Sequence, residues 1–132
     1  WATVGNTILV ESLAEVRNPF GDNKRMKAFQ VLVPGQYRIT GEYRFLGTGS
    51  TGVLRIGVQR HNGDRQTLNI IHLIRADSYF SFAFDVPSTF ILYPGDVLYV
   101  DTEITKGGGS IYVRNVRLRA QLGVRPYAAK AV

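Results

Sequence analysis

Cysteine is absent from this 132-residue chain, which excludes disulfide bonds, thiol chemistry and cysteine-ligated zinc. Apolar runs are short, and none approaches the roughly 18 residues that a membrane-spanning helix requires, so we expect no membrane partner. Apolar residues make up 45% of the chain and charged residues 20%, which is typical of one globular domain and excludes a disordered chain. Because the chain begins with Trp1 rather than Met, we expect either a processed chain or a piece of a longer polypeptide.

Patterns for catalysis and for metal binding are also missing. The two histidines, His61 and His72, lack the spacing of a metal-ligand pair, and His72 shares its predicted strand face with apolar residues, which predicts a core position. No Gly-x-Ser-x-Gly motif is present. The segment 47–52 is rich in glycine but lacks the lysine of a phosphate-binding loop, so we interpret it as a hairpin loop. We therefore predict no enzymatic activity, no cofactor and no metal ion.

Asp101 and Glu103 are the one pair of carboxylates with a suggestive spacing. They lie two residues apart on a predicted strand, so their side chains face the same way. Such a pair can act as acid and base, or it can form ion pairs on a solvated face. We favour the ion pairs, with Arg114 or Arg117 of the last strand as partners.

The net charge of +6 is unevenly distributed along the chain. Residues 1–103 carry ten positive and ten negative charges, and Glu103 is the last acidic residue. Either the basic end beyond it is a solvated surface, or it docks on an acidic partner such as a neighbouring subunit. The candidate partner-binding residues of this end are Arg114, Arg117, Arg119, Arg125, Tyr127 and Lys130.

Alternation of apolar and polar residues dominates the chain and predicts about eight strands. Residues 7–17 also fit a short helix, and we favour the strand. Asn62 and Gly63 lie between two alternating runs, which predicts a hairpin turn with positive φ at both residues. The last two strands are expected to pair through the glycine-rich loop 106–110. The predicted strands cover residues 7–17, 24–33, 36–46, 52–60, 65–74, 77–86, 97–105 and 111–120.

Such a series of short strands predicts an all-β protein, an antiparallel β-sandwich or jelly roll. Residues 1–123 are expected to form a single domain. The alternation is lost after residue 123, so residues 124–132 are expected to form an extended basic C-terminal tail, either disordered or lying on a partner.

Two segments share one pattern, in which apolar residues are followed by Pro-Gly and then by an alternating strand. Proline and glycine at the two central positions favour a type II turn. The order and spacing of the segments resemble the C1q/TNF-like jelly-roll family over about residues 29–118. The residues that carry the resemblance are Pro34, Gly35, Tyr37 and Ile39 in the first segment and Gly95, Asp96, Leu98 and Val100 in the second.

The resemblance implies a jelly roll of the kind found in tailed-phage virion proteins, such as capsid decoration proteins and tail-fibre tips. Family members usually assemble as trimers, so it also implies a homotrimer that contacts other virion proteins in the phage particle. On this basis we predict a non-enzymatic virion assembly module whose basic arm, residues 124–132, docks on a neighbouring subunit. The sequence departs from the family in its first 25 residues and in its basic tail, which argues against receptor signalling.

The alternative hypothesis is a carbohydrate-binding module used in adhesion. Jelly rolls host many such modules, in which exposed aromatic rings stack on sugars. The candidate ligand-binding residues are Tyr79, Tyr99 and Tyr112. Non-specific nucleic-acid binding through the basic end is the hypothesis that we favour least, because the paired aromatic motifs of an RNA-recognition motif are missing.

Overall fold

Ten strands and no helix make up the part of the chain that the structure describes, a computed structural model covering residues 7–120 and 129–132. No helix long and apolar enough to cross a membrane occurs in these residues. The strands are β1 Thr7–Ser12, β2 Val16–Asn18, β3 Lys24–Val31, β4 Tyr37–Leu46, β5 Thr51–Gln59, β6 Arg65–His72, β7 Ala76–Asp85, β8 Val97–Lys106, β9 Ser110–Ala120 and β10 Ala129–Ala131.

The strands form two antiparallel sheets that pack face to face. Sheet A has the order β1-β9-β4-β7, with β2 also paired to β9, and sheet B has the order β10-β3-β8-β5-β6. The predicted all-β antiparallel sandwich is therefore confirmed. Residues 7–17 are strand rather than helix, but they divide into β1 and β2.

Strict alternation in β4 explains why the core lies where it does. Tyr37, Ile39, Tyr43 and Phe45 are buried between the sheets, while the even-numbered residues of the strand are partly exposed on the outer side of sheet A. Burial of such side chains contributes about 1.5–3 kcal/mol each. In sheet B the corresponding inward side chains include Leu54, Ile56, Val58 and Leu98.

Lys27 of β3 in sheet B is hydrogen-bonded to the kink between β1 and β2 of sheet A, which comprises residues 12–15. Its Nζ donates hydrogen bonds to Ser12 Oγ at 2.9 Å and to the carbonyl oxygen of Ala14 at 2.7 Å. The residue is buried, and this burial lowers the pKa of its ammonium group. A buried donor of this kind stays satisfied only while the kink keeps its conformation.

Two glycine-rich connections cross between the sheets at one end of the sandwich. The segments 47–50 and 107–109 link β4 to β5 and β8 to β9, and in both cases the two strands lie in different sheets. The predicted hairpin loop at 47–52 and the predicted pairing of the last two strands are therefore wrong. Ser50 Oγ donates a hydrogen bond to the carbonyl oxygen of Gly108, which ties the two connections together.

Glycine is required here because the two connections approach each other through their backbones. A Cβ at Gly109 would lie 2.0 Å from the carbonyl oxygen of Leu46, and φ at Gly109 is +134°. A Cβ at Gly47 would lie 2.6 Å from the carbonyl oxygen of Gly108. Alternation reports which face a residue lies on, but it does not report that two connections touch.

We predict that Gly109→Ala lowers the free energy of unfolding by roughly 1–3 kcal/mol, since it adds both a steric overlap and an unfavourable φ. Gly108→Ala is the matched control, because a Cβ there has no neighbour within 4 Å. Urea unfolding of both variants measures the difference. Equal stability of the two variants would contradict this packing of the connections.

Turn geometry agrees with the sequence in one Pro-Gly segment and differs in the other. Gly95 has φ of +94°, and the amide of Asp96 donates to the carbonyl oxygen of Tyr93 at 3.0 Å, as in a type II turn. Gly35 is not among the glycines with positive φ, so the type II turn predicted there is wrong.

The turn at Asn62 and Gly63 is a hairpin of a different type from the one predicted. Only Gly63 has positive φ, at +96°. Its amide donates to the carbonyl oxygen of Arg60 at 2.8 Å, and the amide of Arg60 donates to the carbonyl oxygen of Asp64 at 2.7 Å. This is the three-residue hairpin loop that ends in a left-handed glycine.

A bulge in β6 explains why His72 is exposed rather than in the core. Ile56 pairs with Asn69 and Gly57 with Thr67, which leaves Leu68 as an extra residue on β6. The inward phase then changes, so that Leu68 and Ile71 both pack against the core while His72 is exposed. The predicted core position of His72 is wrong for this reason.

The last residues of the chain belong to the sandwich. Lys130 pairs with Gln30 of β3, and Ala129 is buried against the core. The amide of Val132 donates to the carbonyl oxygen of Ala28 at 3.0 Å. For residues 129–132 the structure thus differs from the extended tail expected from the sequence, and residues 124–128 lie outside the described residues.

Candidate functional site

The outer face of sheet A gathers outward side chains into rows that run across the strands. Residues opposite each other in antiparallel strands point to the same face, so pairing places their side chains side by side. One row contains Arg17, Tyr112 and Arg44. The next rows contain Arg114, Glu42 and Ser81, then Glu11, Arg117, Thr40 and Ala83, and then Arg119, Arg38 and Asp85.

A bulge in β9 sets which side chains reach this face. Thr40 pairs with Arg117 and Glu42 with Arg114, so one residue of β4 lies opposite two residues of β9. Asn115 occupies the bulge with φ of +55°, a conformation that asparagine adopts more readily than most residues. Before the bulge the buried apolar residues of β9 have odd numbers, as in Val113, and after it they have even numbers, as in Val116. This shift in the apolar pattern is the sequence signal of the bulge.

A groove of about 360 Å³ crosses the middle rows. Its small side chains, Thr40, Ser81 and Ala83, lie between longer side chains of the neighbouring rows, and this difference in length makes the surface concave. Volumes of this size are at the lower end of the range for small-ligand sites. The residues that line the groove are Thr40, Gly41, Glu42, Ser81, Phe82, Ala83, Asn115, Arg117 and Arg119.

Glu42 organises one wall of the groove. Its Oε1 accepts hydrogen bonds from Asn115 Nδ2 at 2.8 Å and from Arg114 Nε at 2.9 Å. The hydrogen bonds from Asn115 and then Arg114 outweigh partial burial and hold the pKa of the Glu42 carboxyl below its usual value. This carboxylate is therefore ionised near neutral pH and already has two donors.

Arg117 and Arg119 form the opposite wall. Arg117 Nε donates to Glu11 Oε2 at 2.9 Å, and Arg119 Nε donates to Thr40 Oγ1 at 3.1 Å. The core residue Leu118 lies between them on β9 and is fully buried, which fixes the strand that carries both arginines. The two guanidinium groups are thus presented from a rigid strand rather than from a loop.

Arginines and tyrosines alternate beside the groove. The Arg44 guanidinium carbon lies 4.4 Å from the ring centroid of Tyr112 and 5.2 Å from that of Tyr79. The guanidinium carbon of Arg114 lies 3.5 Å from the Tyr79 centroid, which is a close cation–π contact. Tyr79 is on the same strand face as Ser81, roughly 7 Å along β7, so the aromatic row adjoins the groove.

The candidate tyrosines of the sequence divide between the two sheets. Tyr79 and Tyr112 are partly exposed on the outer face of sheet A. Tyr99 is buried in sheet B, with its ring beneath the Arg25 guanidinium at 4.3 Å, so its predicted exposure is wrong. The phenol of Tyr99 occupies the space above Gly57, where a Cβ would lie 2.4 Å from the hydroxyl oxygen.

The basic candidates divide as well. Arg114, Arg117 and Arg119 share the outer face of sheet A with the tyrosines. Lys130 is exposed on sheet B, at the other side of the sandwich. Arg125 and Tyr127 lie outside the described residues. A role for these residues in binding a partner stays a prediction.

Asp101 and Glu103 form ion pairs, but their partners differ from those predicted. Arg55 Nη1 donates to Glu103 Oε1 at 2.8 Å, and Arg25 Nε lies 3.6 Å from Asp101 Oδ1. The predicted partners on β9 are wrong because β8 and β9 lie in different sheets. No group of three or more histidines, aspartates or glutamates that could hold a metal ion occurs in the described residues.

We predict that Asp101→Asn leaves the protein at least as stable as the native chain at pH 7. Burial raises the pKa of Asp101 and outweighs the attraction of Arg25, so folding favours the protonated carboxyl. The protonated Asp101 carboxyl stabilises the fold fully below about pH 3.9, the pKa of aspartate in the unfolded chain. This stabilisation is lost as the pH rises through the higher pKa that Asp101 has in the folded protein. Urea unfolding at pH 7 and pH 4 tests this, and a marked loss of stability in the variant at pH 7 would show that the ion pair outweighs desolvation.

The comparisons with known proteins identify the fold. No protein-family model matches the sequence, and no curated protein sequence matches it. Among solved structures, the CBM22-1 xylan-binding domain of Paenibacillus barcinonensis Xyn10C is 11% identical with a TM-score of 0.56, covering 92% of this chain and 99% of that domain. TmCBM61 in complex with β-1,4-galactotriose is 10% identical with a TM-score of 0.54, covering 81% of this chain and 70% of its own.

A third similar structure is the C-terminal domain of EclA, described as a sugar-binding protein. It is 11% identical with a TM-score of 0.53, and the match covers 82% of this chain and 79% of that domain. At these identities the likeness shows a shared β-sandwich fold and nothing finer.

Proposed function

We propose that the protein is a carbohydrate-binding module whose ligand lies in the groove on the outer face of sheet A. The observation that carries the proposal is the groove itself, in which small side chains lie beside Arg117 and Arg119. The Tyr79 ring, with the Arg114 guanidinium over it, lies on the same strand face next to the groove. The chain then acts by binding rather than by catalysis.

Sugar chemistry matches this combination of side chains. A pyranose ring has an apolar face of C–H groups, which packs on aromatic rings, and a rim of hydroxyl groups, which form hydrogen bonds. Tyr79 offers an aromatic ring next to the groove, with the Arg114 guanidinium over one of its faces. Arg117 and Asn115 offer planar polar groups within the groove. Planar guanidinium and amide groups can donate two hydrogen bonds side by side.

The structural neighbours support the same proposal. Three β-sandwiches similar to this chain are a xylan-binding domain, a module in complex with β-1,4-galactotriose and a domain described as a sugar-binding protein. Because fold alone does not determine function, the proposal depends on the groove, and the neighbours raise its plausibility by analogy.

Substitution of the tyrosine beside the groove tests the proposal. In a screen of soluble polysaccharides by affinity electrophoresis, we expect the native chain to be retarded by at least one glycan. Tyr79→Ala should weaken that binding about three- to tenfold, the range for one aromatic contact. Tyr93→Ala is the matched control, because Tyr93 is an exposed tyrosine in the loop between β7 and β8, away from the groove.

Filling the groove gives a second, independent readout. Ser81→Trp should abolish binding, because Ser81 is an exposed groove residue and the indole would occupy the ligand volume. Thr67→Trp, on the exposed side of β6 in sheet B, should leave binding unchanged. Retention of binding in Ser81→Trp, or no binding to any glycan by the native chain, would contradict the proposed function.

The virion role, the homotrimer and the location in a phage particle stay predictions. Residues 129–131 pair with β3 of the same chain, so in this structure they form a strand of their own sandwich. The solution mass by light scattering at low and high salt tests the trimer directly.

A further inference from the structure

The hydrogen-bonding groups in the groove are unbalanced between donors and acceptors. Glu42 is the only carboxylate among the described lining residues, and it already accepts from Arg114 and Asn115. The hydroxyl oxygen of Thr40 already accepts from Arg119. Arginine has five N–H donors and no acceptor, so two arginines make the wall that they form donor-rich.

A donor-rich wall discriminates between classes of saccharide. A neutral sugar presents hydroxyl groups, which both donate and accept, whereas a carboxylate or sulfate group presents acceptors only. An anionic group also forms charge-assisted hydrogen bonds with guanidinium, which are roughly twice as strong as neutral ones. Arg117 and Arg119, two residues apart on β9, would approach such a group from one side of the groove.

The ion pairs already present on this face do not close the groove to an anion. The side chains of Arg117 and Glu11 are 30% and 41% exposed, and the pair lies at the rim. Ion pairs at this level of exposure contribute little to stability. A ligand anion can therefore share the Arg117 guanidinium with Glu11 at small cost.

The distribution of charge supports the same inference. The positive excess of the chain lies after Glu103, and β9 contributes three of the residues in that excess, Arg114, Arg117 and Arg119, to this face. Acidic residues on the face are supplied by other strands, and Glu11 and Glu42 are each paired with an arginine of β9.

We infer that the ligand of the groove is an anionic saccharide, bound through its carboxylate or sulfate groups by Arg117 and Arg119. This inference rests on the proposed function and names the chemical class of its ligand. The two sources of negative charge, uronic acid and sulfate ester, share the same recognition chemistry.

Matched polysaccharides separate charge from sugar backbone. We expect polygalacturonate to bind at least tenfold more tightly than its methyl-esterified form, because esterification removes the charge-assisted hydrogen bonds and keeps the backbone. Dextran sulfate against dextran gives the same comparison for sulfate, and binding in either charged arm supports the inference and identifies the source. Binding should also weaken as salt rises from 50 mM to 300 mM, the direction expected for exposed charges.

Matched variants separate the groove from the general positive charge of the chain. Arg117→Gln combined with Arg119→Gln should weaken binding about tenfold or more, since both variants remove charge-assisted hydrogen bonds to the ligand anion. Arg65→Gln removes an exposed arginine from sheet B and should change binding less than twofold. If the double variant fails to fold, the esterification comparison and the salt series on the native chain still decide the question.

The outcomes are distinct for the inference and for the proposed function. Equal binding of the esterified and free polygalacturonate would overturn the anionic ligand and leave carbohydrate binding in place. An equal loss per charge removed in Arg65→Gln and in the groove double variant would overturn it as well, because binding would then follow net charge alone. Absence of binding to every charged and neutral polysaccharide would overturn both.

Discussion

The antiparallel pairing of β4 with β9 is the constraint on which both the core and the groove depend. On its inner side this pair buries Tyr37, Phe45 and Leu118, and on its outer side it presents the arginines of the groove. A shift of one residue in register would exchange the two sets, burying guanidinium groups at a cost of several kcal/mol each. Core packing therefore fixes the positions of the groove residues without any contact from a ligand.

Gly41 lies at the centre of this arrangement. A Cβ at this position would be 2.6 Å from Phe82 Cζ and 3.0 Å from Val116 Cγ2, so the Phe82 ring packs directly over the glycine on the inner side. Opposite Gly41, the Asn115 bulge changes the phase of β9 and brings Val116 inward and Arg117 outward. The same local geometry closes the core below and shapes the groove above.

Sequence patterning predicted the strands well because alternation reports directly on burial. Within the predicted strands 36–46 and 52–60, the apolar alternation coincides with the buried side chains of β4 and β5, from Tyr37 to Phe45 and from Leu54 to Val58. Pairing between strands was not predictable in the same way, since alternation says nothing about which strand lies next to which. For that reason the connections were assigned as hairpins and the partners of Asp101 were sought on the wrong strand.

The candidate site was predicted in its residue types but not in its assembly. Tyr79, Tyr112, Arg114, Arg117 and Arg119 were all singled out from the sequence, but for two separate functions. Glu42 and the small residues of the groove were missed, because a serine or alanine on a strand carries no signal until its longer neighbours are known. Burial of Tyr99 could not be predicted from its own strand. Arg25, which covers its ring, and Gly57, above which its phenol lies, belong to other strands.

Charge asymmetry along the chain does not become the same asymmetry in space. Arg117 of β9 is 106 positions from Glu11 in the sequence, yet folding places the two side chains within hydrogen-bond distance. Two of the six basic residues after Glu103, Arg114 and Arg117, are thereby paired with carboxylates on the outer face of sheet A. What remains is a local excess of hydrogen-bond donors, which is a property of the groove rather than of the chain end.

A site built on strand faces differs physically from one built on loops. The groove side chains alternate with buried residues on β4, β7 and β9, so their backbone is already ordered and binding costs little conformational entropy. The outward positions can also change without disturbing the inward ones, because the two sets occupy opposite faces. A sandwich of this kind can therefore keep its fold at 10–11% identity, as in the similar structures. If the groove binds a saccharide as proposed, its ligand class depends on a few outward side chains such as Arg117 and Arg119 rather than on the architecture that holds them.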